Sequence, residues 1–315
     1  MDGTRIVVGV DGSDTAQEAL RWGVGLAAVL GAEVVAVHAV GLLEELHDPG
    51  VPEHAWRGGL RDVVETTWCA PLAKARFPHR VELRDGHPVD VLLGTADDEH
   101  AVLLVMGSRG VGANPPMALG STSLRVLQAA RVPVLVVPDR REGAPPADRV
   151  ALRHILVGLD RSEPSFAALE LASDVADLLG GSLSVLEVID YVPPFPLEPS
   201  TVTDEGEERA LERAITLLEA EVRDIRTRGV GVQVIVRSGD PAPTLLEIAD
   251  DVDAELVVVG TRGRGGPADL LLGSVARTVA DRARRPTLVV PVTARPPRLR
   301  RSDDRSEPYQ SGTSP

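Results

Sequence analysis

Short, almost unbroken apolar runs alternate along this chain with longer stretches in which apolar residues return every three or four positions. The first kind of pattern predicts buried strands and the second predicts amphipathic helices. "RIVVGV" runs into Asp11 and "HILVGL" runs into Asp160, and helix-period segments follow at residues 15–30 and 165–179. Ser13 and Ser162 stand where they cap or lead into those helices. The β-branched runs "AEVVAVHAV" and "GSLSVLEVI" predict second strands. Residues 52–76 and 205–229 each read as an amphipathic helix, followed by short strands at 79–86 and 232–239. Helices come next at 87–98 and 240–251, with Pro88 and Pro241 near their first turns. Each series closes with an apolar strand, a glycine-rich loop, a helix and a last strand, at 132–138 and 286–291.

The same order of elements therefore occurs twice. Several of its strands are continuous Val/Leu runs, the pattern given by sheets covered by helices on both faces. The expected fold is two tandem α/β domains, each an open, mostly parallel five-stranded sheet, at residues 1–138 and 153–292. A length of 315 residues accommodates two such units. Residues 139–152 are polar, Pro-rich and aperiodic, and read as the linker. The Pro-, Arg- and Ser-rich stretch 293–315 is expected to be disordered.

Composition narrows the function. The apolar runs are too short to span a bilayer, and the start has no export-signal pattern, so a cytoplasmic protein is expected. A net charge of -14 without a basic block among aromatics disfavours nucleic acid. Cys69 stands alone, which excludes an internal disulfide and a thiolate metal cluster, and reads as structural.

Two loops carry the candidate chemistry: "GSRGVGANPPMALGS" from Gly107 and "GTRGRGGPADLLLGS" from Gly260. Both leave the carboxyl end of a strand, where open α/β sheets bind ligands. Their glycines allow close backbone approach, and the helix that follows offers unpaired N–H groups to an anion. Ser121, Thr122 and Ser274 add hydroxyls at those helix starts. A phosphate group suits such a site. The loop after the first strand lacks the dinucleotide fingerprint, and neither glycine-rich loop has the lysine of a Walker motif. Asp11 and Asp160 face the same crevices and suit a ribose hydroxyl. No nucleophile, base and orienting group occur together, so no catalytic residue is named.

On these motifs the chain resembles the universal stress protein family in its tandem form, over almost all of residues 4–292. The family's ATP-binding pattern is Gly, two residues, Gly, nine residues, Gly, then Ser or Thr. Gly107, Gly110, Gly120 and Ser121 meet it, and so do Gly260, Gly263, Gly273 and Ser274. The resemblance implies a Rossmann-like domain of the adenine nucleotide alpha hydrolase type and a regulatory adenine-nucleotide-binding role with hydrolysis at most slow. Loop glycines and hydroxyls would hold the triphosphate, with Ser123 as a further hydroxyl where the second half has Ala276, and Val275 beside Ser274. Asp11 or Asp160 would meet the ribose, and the main chain at Ala39 and Val188 would meet adenine. Mg²⁺ or Mn²⁺ would accompany the phosphates without a dedicated ligand set. It also implies internal pairing of the domains through their final strands, with homodimerisation left open.

Other readings stay beside this one. Asp11 and Asp160 fit as helix caps, and the glycines fit as turns. An exposed apolar edge on the final strands would instead suit a nucleotide-independent scaffold. His38 and the helix-face tryptophans Trp22, Trp56 and Trp68 read as structural. Arg109 and Arg262, inside the loops, are candidates for phosphate or solvent contact. Asn114, Pro115 and Pro116 make the first loop unlike the second, so unequal affinities are expected.

Overall fold

The computed structural model describes residues 3–41, 53–111, 119–139, 152–189, 202–263 and 272–292. Most of the linker, the centres of both glycine-rich loops, including Asn114, Pro115 and Pro116, and the 293–315 tail lie outside the described residues. The first half contains β1 (Arg5–Gly9), α1 (Asp14–Leu30), β2 (Glu33–Val40), α2 (Glu53–Val63), β3 (His79–Asp85), α3 (Pro88–Asp98), β4 (Leu103–Gly107), α4 (Ser121–Ala129) and β5 (Val134–Val137). The second contains β6 (His154–Gly158), α5 (Glu163–Leu179), β7 (Ser182–Ile189), α6 (Val202–Glu221), α7 (Arg223–Thr227), β8 (Gly231–Ser238), α8 (Pro241–Asp251), β9 (Leu256–Gly260), α9 (Ser274–Arg282) and β10 (Thr287–Val290).

All ten strands form one sheet in the order β3-β2-β1-β4-β5-β10-β9-β6-β7-β8. Pairing is parallel within each half, and the halves join by one antiparallel pair, β5 with β10, in which Leu288 lies opposite Leu135. This is the internal pairing that the resemblance implies, and it covers the edges of both final strands. Among the described residues the sheet ends at β3 and β8. On β3 the Arg80, Glu82 and Arg84 side chains form ion pairs with one another and with Glu33, Asp98 and Glu99. Charge of this kind discourages pairing of an exposed edge with a further strand.

Buried side chains divide by face of the sheet instead of by half. One cluster joins Ile6, Val8 and Leu20 to Leu135, Leu288, Ile155 and Leu218. The other joins Val7, Leu104 and Leu127 to Val136, Leu156, Val257 and Val279. Alternation along each doubly covered strand sends neighbouring residues to opposite clusters.

The helix boundaries follow from the local sequence. Ser13 and Ser162 accept from the N–H groups of Ala16 and Ser165 at the starts of α1 and α5, and Gly31 and Gly180 end those helices in the left-handed region, with φ of 62° and 69°. The expected single helix over 52–76 is not formed. It breaks after α2 into a wide turn at Val64–Trp68 and a tight one at Ala70–Lys74. Pro71 has no N–H to continue the helix, and the altered winding buries Val64, Cys69 and Leu72. The 205–229 segment breaks at Val222, which is fully buried between α6 and α7.

Burial and the charge of Glu65 push the Cys69 thiol up to about 12. At pH 8 a thiol reagent such as Ellman's should leave Cys69 unmodified in the native protein and titrate one thiol in urea. Rapid labelling without urea would contradict the buried placement.

Candidate functional site

In each half the sheet order turns around between two strands, β1 and β4 in the first and β6 and β9 in the second. The crevice beyond such strand ends is the place for a ligand in open α/β sheets. Three segments meet there in the first half: the β1–α1 turn with Asp11, the loop leaving β4, and the start of α4.

Gly107 ends β4 directly beneath the first turn of α1. A Cβ at this position would lie 2.8 Å from the carbonyl carbon of Thr15 and 2.9 Å from the backbone nitrogen of Ala16. Gly260 is placed alike, where a Cβ would lie 2.7 Å from the Pro164 carbonyl carbon and 2.8 Å from Ser165 N. These two glycines therefore allow backbone-to-backbone approach. Gly110 makes room for a side chain: a Cβ there would come within 2.5 Å of Asp11 Oδ2. Gly263 stands in the same relation to Asp160 Oδ2.

Asp11 ties the crevice together. Its Oδ1 accepts from Ser13 N–H at 3.0 Å and from the Ser13 hydroxyl at 2.6 Å, and its Oδ2 accepts from Val111 N–H at 3.1 Å. Asp160 Oδ1 likewise accepts from the N–H, at 3.1 Å, and the hydroxyl of Ser162. The helix caps are thus the serines, and each aspartate braces its serine. The Ser13 and Ser162 hydroxyl oxygens also lie 3.4 and 3.1 Å from the loop carbonyls of Arg109 and Arg262, alternative acceptors for the same proton, and the Thr15 hydroxyl donates to the Arg109 carbonyl. This bracing role goes beyond the capping that the sequence pattern predicts for both serines. Their position two residues after a strand-terminal Asp was the available signal.

The last part of the site is the start of α4. Gly120 is its N-cap, with its own N–H donated to Ser108 O at 2.7 Å, and no side chain caps the turn that follows. Gly273 repeats this at α9, donating to Thr261 O at 2.7 Å, again with no side-chain cap. The first turn of a helix holds N–H groups without intrahelical partners and the positive end of the helix dipole. Ser121 and Ser274 are exposed beside these groups, and Thr122 and Val275 are half-buried. Ser123 is buried and donates to Gly107 O at 2.9 Å, so its hydroxyl braces the end of β4. Ala39 and Val188 lie near the ends of β2 and β7, each half-buried. The Arg109 guanidinium pairs with Asp139 just past β5, whereas the position equivalent to Asp139 in the second half is Val292. Among the described residues no cluster of three or more His, Cys, Asp or Glu side chains could hold a metal ion.

The halves diverge immediately after the strand-terminal aspartate. Gly12 takes a φ of 84°, with Trp68 packed over it, and Trp68 meets the buried His38 ring edge-on at 5.0 Å. His38 Nδ1 lies 2.8 Å from Val10 O, which accords with a structural role. At the matching positions Arg161 keeps the left-handed φ, at 62°, and its guanidinium donates twice to the buried Glu187 carboxylate, at 2.9 and 2.7 Å. These bonds hold the Arg161 guanidinium above its ordinary pKa. An aromatic contact in one half is therefore an ion pair in the other, and Arg161 carried no signal in the sequence pattern.

The profile of the Universal stress protein family matches residues 3–138 and again 151–291. Universal stress protein Rv2623 of Mycobacterium tuberculosis is 32% identical over 296 residues, covering 90% of this chain and 95% of its own. A universal stress protein of Mycolicibacterium smegmatis is 32% identical over 297 residues, covering 90% and 96%. Among solved structures, a universal stress protein from Archaeoglobus fulgidus superposes with a TM-score of 0.63 at 21% identity, covering 91% of this chain and 96% of its own.

The glycines separate by role in a way that stability measurements can read. Gly107→Ala and Gly260→Ala should each cost about 1–3 kcal/mol in urea unfolding, because the new methyl meets backbone. Gly120→Ala should stay within about 0.5 kcal/mol, since its Cβ would have no neighbour closer than 3.4 Å and its φ of -70° suits any residue. Glu187→Ala should cost about 3 kcal/mol by stranding the Arg161 charge. An equal cost at Gly107 and Gly120 would contradict the division.

Proposed function

The chain belongs to the universal stress protein family, and from that premise we propose that it binds ATP in both crevices as a cytoplasmic regulatory protein, with hydrolysis at most slow. The observation that supports this best is the pair of glycine-capped helix starts at Gly120 and Gly273. Each lacks a side-chain cap and lies against the loop whose Gly110 or Gly263 meets the aspartate that follows the first strand.

The residues present suit a nucleotide. The free N–H groups of the first turns of α4 and α9, with the exposed hydroxyls of Ser121 and Ser274, are donors for the phosphates. Asp11 Oδ2 accepts one protein hydrogen bond and has a second lone pair for a ribose hydroxyl. Asp160 is placed to do the same. By the family resemblance, main-chain groups at Ala39 and Val188 meet the adenine edge. Mg²⁺ or Mn²⁺ would enter on the phosphate oxygens, since no cluster of carboxylates that could hold it occurs among the described residues. The sequence names no group that positions water for attack on the terminal phosphate, and in this reading bound nucleotide acts chiefly by occupancy. The Trp68 contact and the Arg161–Glu187 pair give the two crevices different walls, and unequal affinities follow.

Calorimetric titration with ATP, with and without Mg²⁺, tests the reading. Wild type should show two sites, and Gly120→Val and Gly273→Val should each retain one, because the branched side chain covers one helix start. Folded wild-type protein that takes up no ATP would overturn it.

A further inference from the structure

The two crevices open at opposite ends of the strands, because the halves meet antiparallel. One side chain nevertheless reaches from the second half into the phosphate loop of the first. Asp281, in the last turn of α9, accepts a hydrogen bond from the N–H of Leu119 at 3.1 Å. Leu119 is buried and immediately precedes Gly120, the N-cap of α4.

The helix that supplies Asp281 does not account for it. Carbonyl dipoles accumulate at a helix C-terminus, so a carboxylate in the last turn is electrostatically unfavourable there. The next residue, Arg282, has the sign that position favours. The matching residue of α4 is the uncharged Gln128. The compensating partner of Asp281 is the Leu119 N–H, across the seam between the halves. With Gly120 N–H fixed on Ser108 O, two successive backbone groups at the entry to α4 are tied down, one from within the first half and one by the second. The free N–H groups of the first turn follow directly on these two, so their orientation depends on both.

We infer that Asp281 is a positioning residue of the N-terminal nucleotide site, so that this site is complete only with the C-terminal half docked. The inference rests on the ATP reading above and extends it. It also makes the coupling directional in structure: α9 opens the C-terminal site with its first residues and braces the N-terminal site with its last turn. The helix is nine residues long, or about 13 Å.

The test uses the full chain with one site disabled at a time. In the Gly273→Val background, where only the N-terminal site binds, Asp281→Ala should weaken ATP about five- to tenfold, the scale of losing one ordinary hydrogen bond. Asp281→Asn keeps an acceptor oxygen and should recover most of the loss. In the Gly120→Val background, where only the C-terminal site binds, Asp281→Ala should leave affinity unchanged. A general loss of structure would lower both. Amide hydrogen exchange provides a readout without nucleotide: Asp281→Ala should speed exchange at Leu119 and Gly120 while the centre of α9 stays protected. Unchanged N-terminal affinity, or equal weakening of both sites, would overturn the inference. If wild type took up no ATP, the nucleotide reading would fail separately, and unchanged exchange at Leu119 and Gly120 would then dispose of the positioning role as well.

Discussion

The antiparallel pairing of β5 with β10 is the constraint on which the rest of this molecule depends. Each final strand is short and wholly buried, four residues in either case, and alone would leave an apolar sheet edge open to water or to other strands. Pairing the two closes both edges at once. It also merges the cores, because side chains above and below the seam continue into the clusters of the opposite half. The two strand sets then run in opposite senses, and the carboxyl ends that carry the crevices lie at opposite ends of the strands of one sheet.

Within each half the crevice is made by close approach. Gly107 and Gly260 let the first helix settle on the end of a neighbouring strand, and Gly110 and Gly263 let an aspartate lie against the loop backbone. The aspartate, its serine and the loop carbonyls then form one hydrogen-bonded unit. The structural and ligand-facing roles of Asp11 are therefore compatible. One oxygen and part of another organise the protein, which leaves a lone pair for the ribose hydroxyl proposed above. The same reasoning sets Ser123 apart from Ser121: both follow the loop, but one hydroxyl is used internally and the other is exposed.

The internal repeat is close in backbone and looser in chemistry. Position 12 and position 161 share a left-handed backbone, which glycine adopts without strain and arginine adopts at a cost of about 1 kcal/mol or more. The ion pair with Glu187 offsets that cost in the second half, while the first half uses the absence of a side chain to admit Trp68. Asp281 is a second departure, bound to the far half where its counterpart is Gln128. A chain holding both copies can specialise them in this way because the two residues at a matched position need not satisfy the same surroundings.

The sequence by itself determined the repeated strand and helix order, the serine caps, the two-domain architecture and the glycine spacing of the crevices. All of these are local: a strand-period run, a cap or a spaced glycine motif is set by neighbours within a few residues. It also placed Asp11 and Asp160 at strand ends, where an open α/β sheet puts its ligand crevice. Only the tertiary structure decided which glycines meet backbone and which meet a carboxylate, that Arg161 closes on Glu187, and that the 52–76 segment abandons one continuous helix to bury Val64, Cys69 and Leu72. It alone joined Asp281 to Leu119, residues 162 positions apart. Such contacts depend on the order and sense in which strands meet, and no periodicity in the chain encodes a distance across a seam that exists only once both sheets have formed.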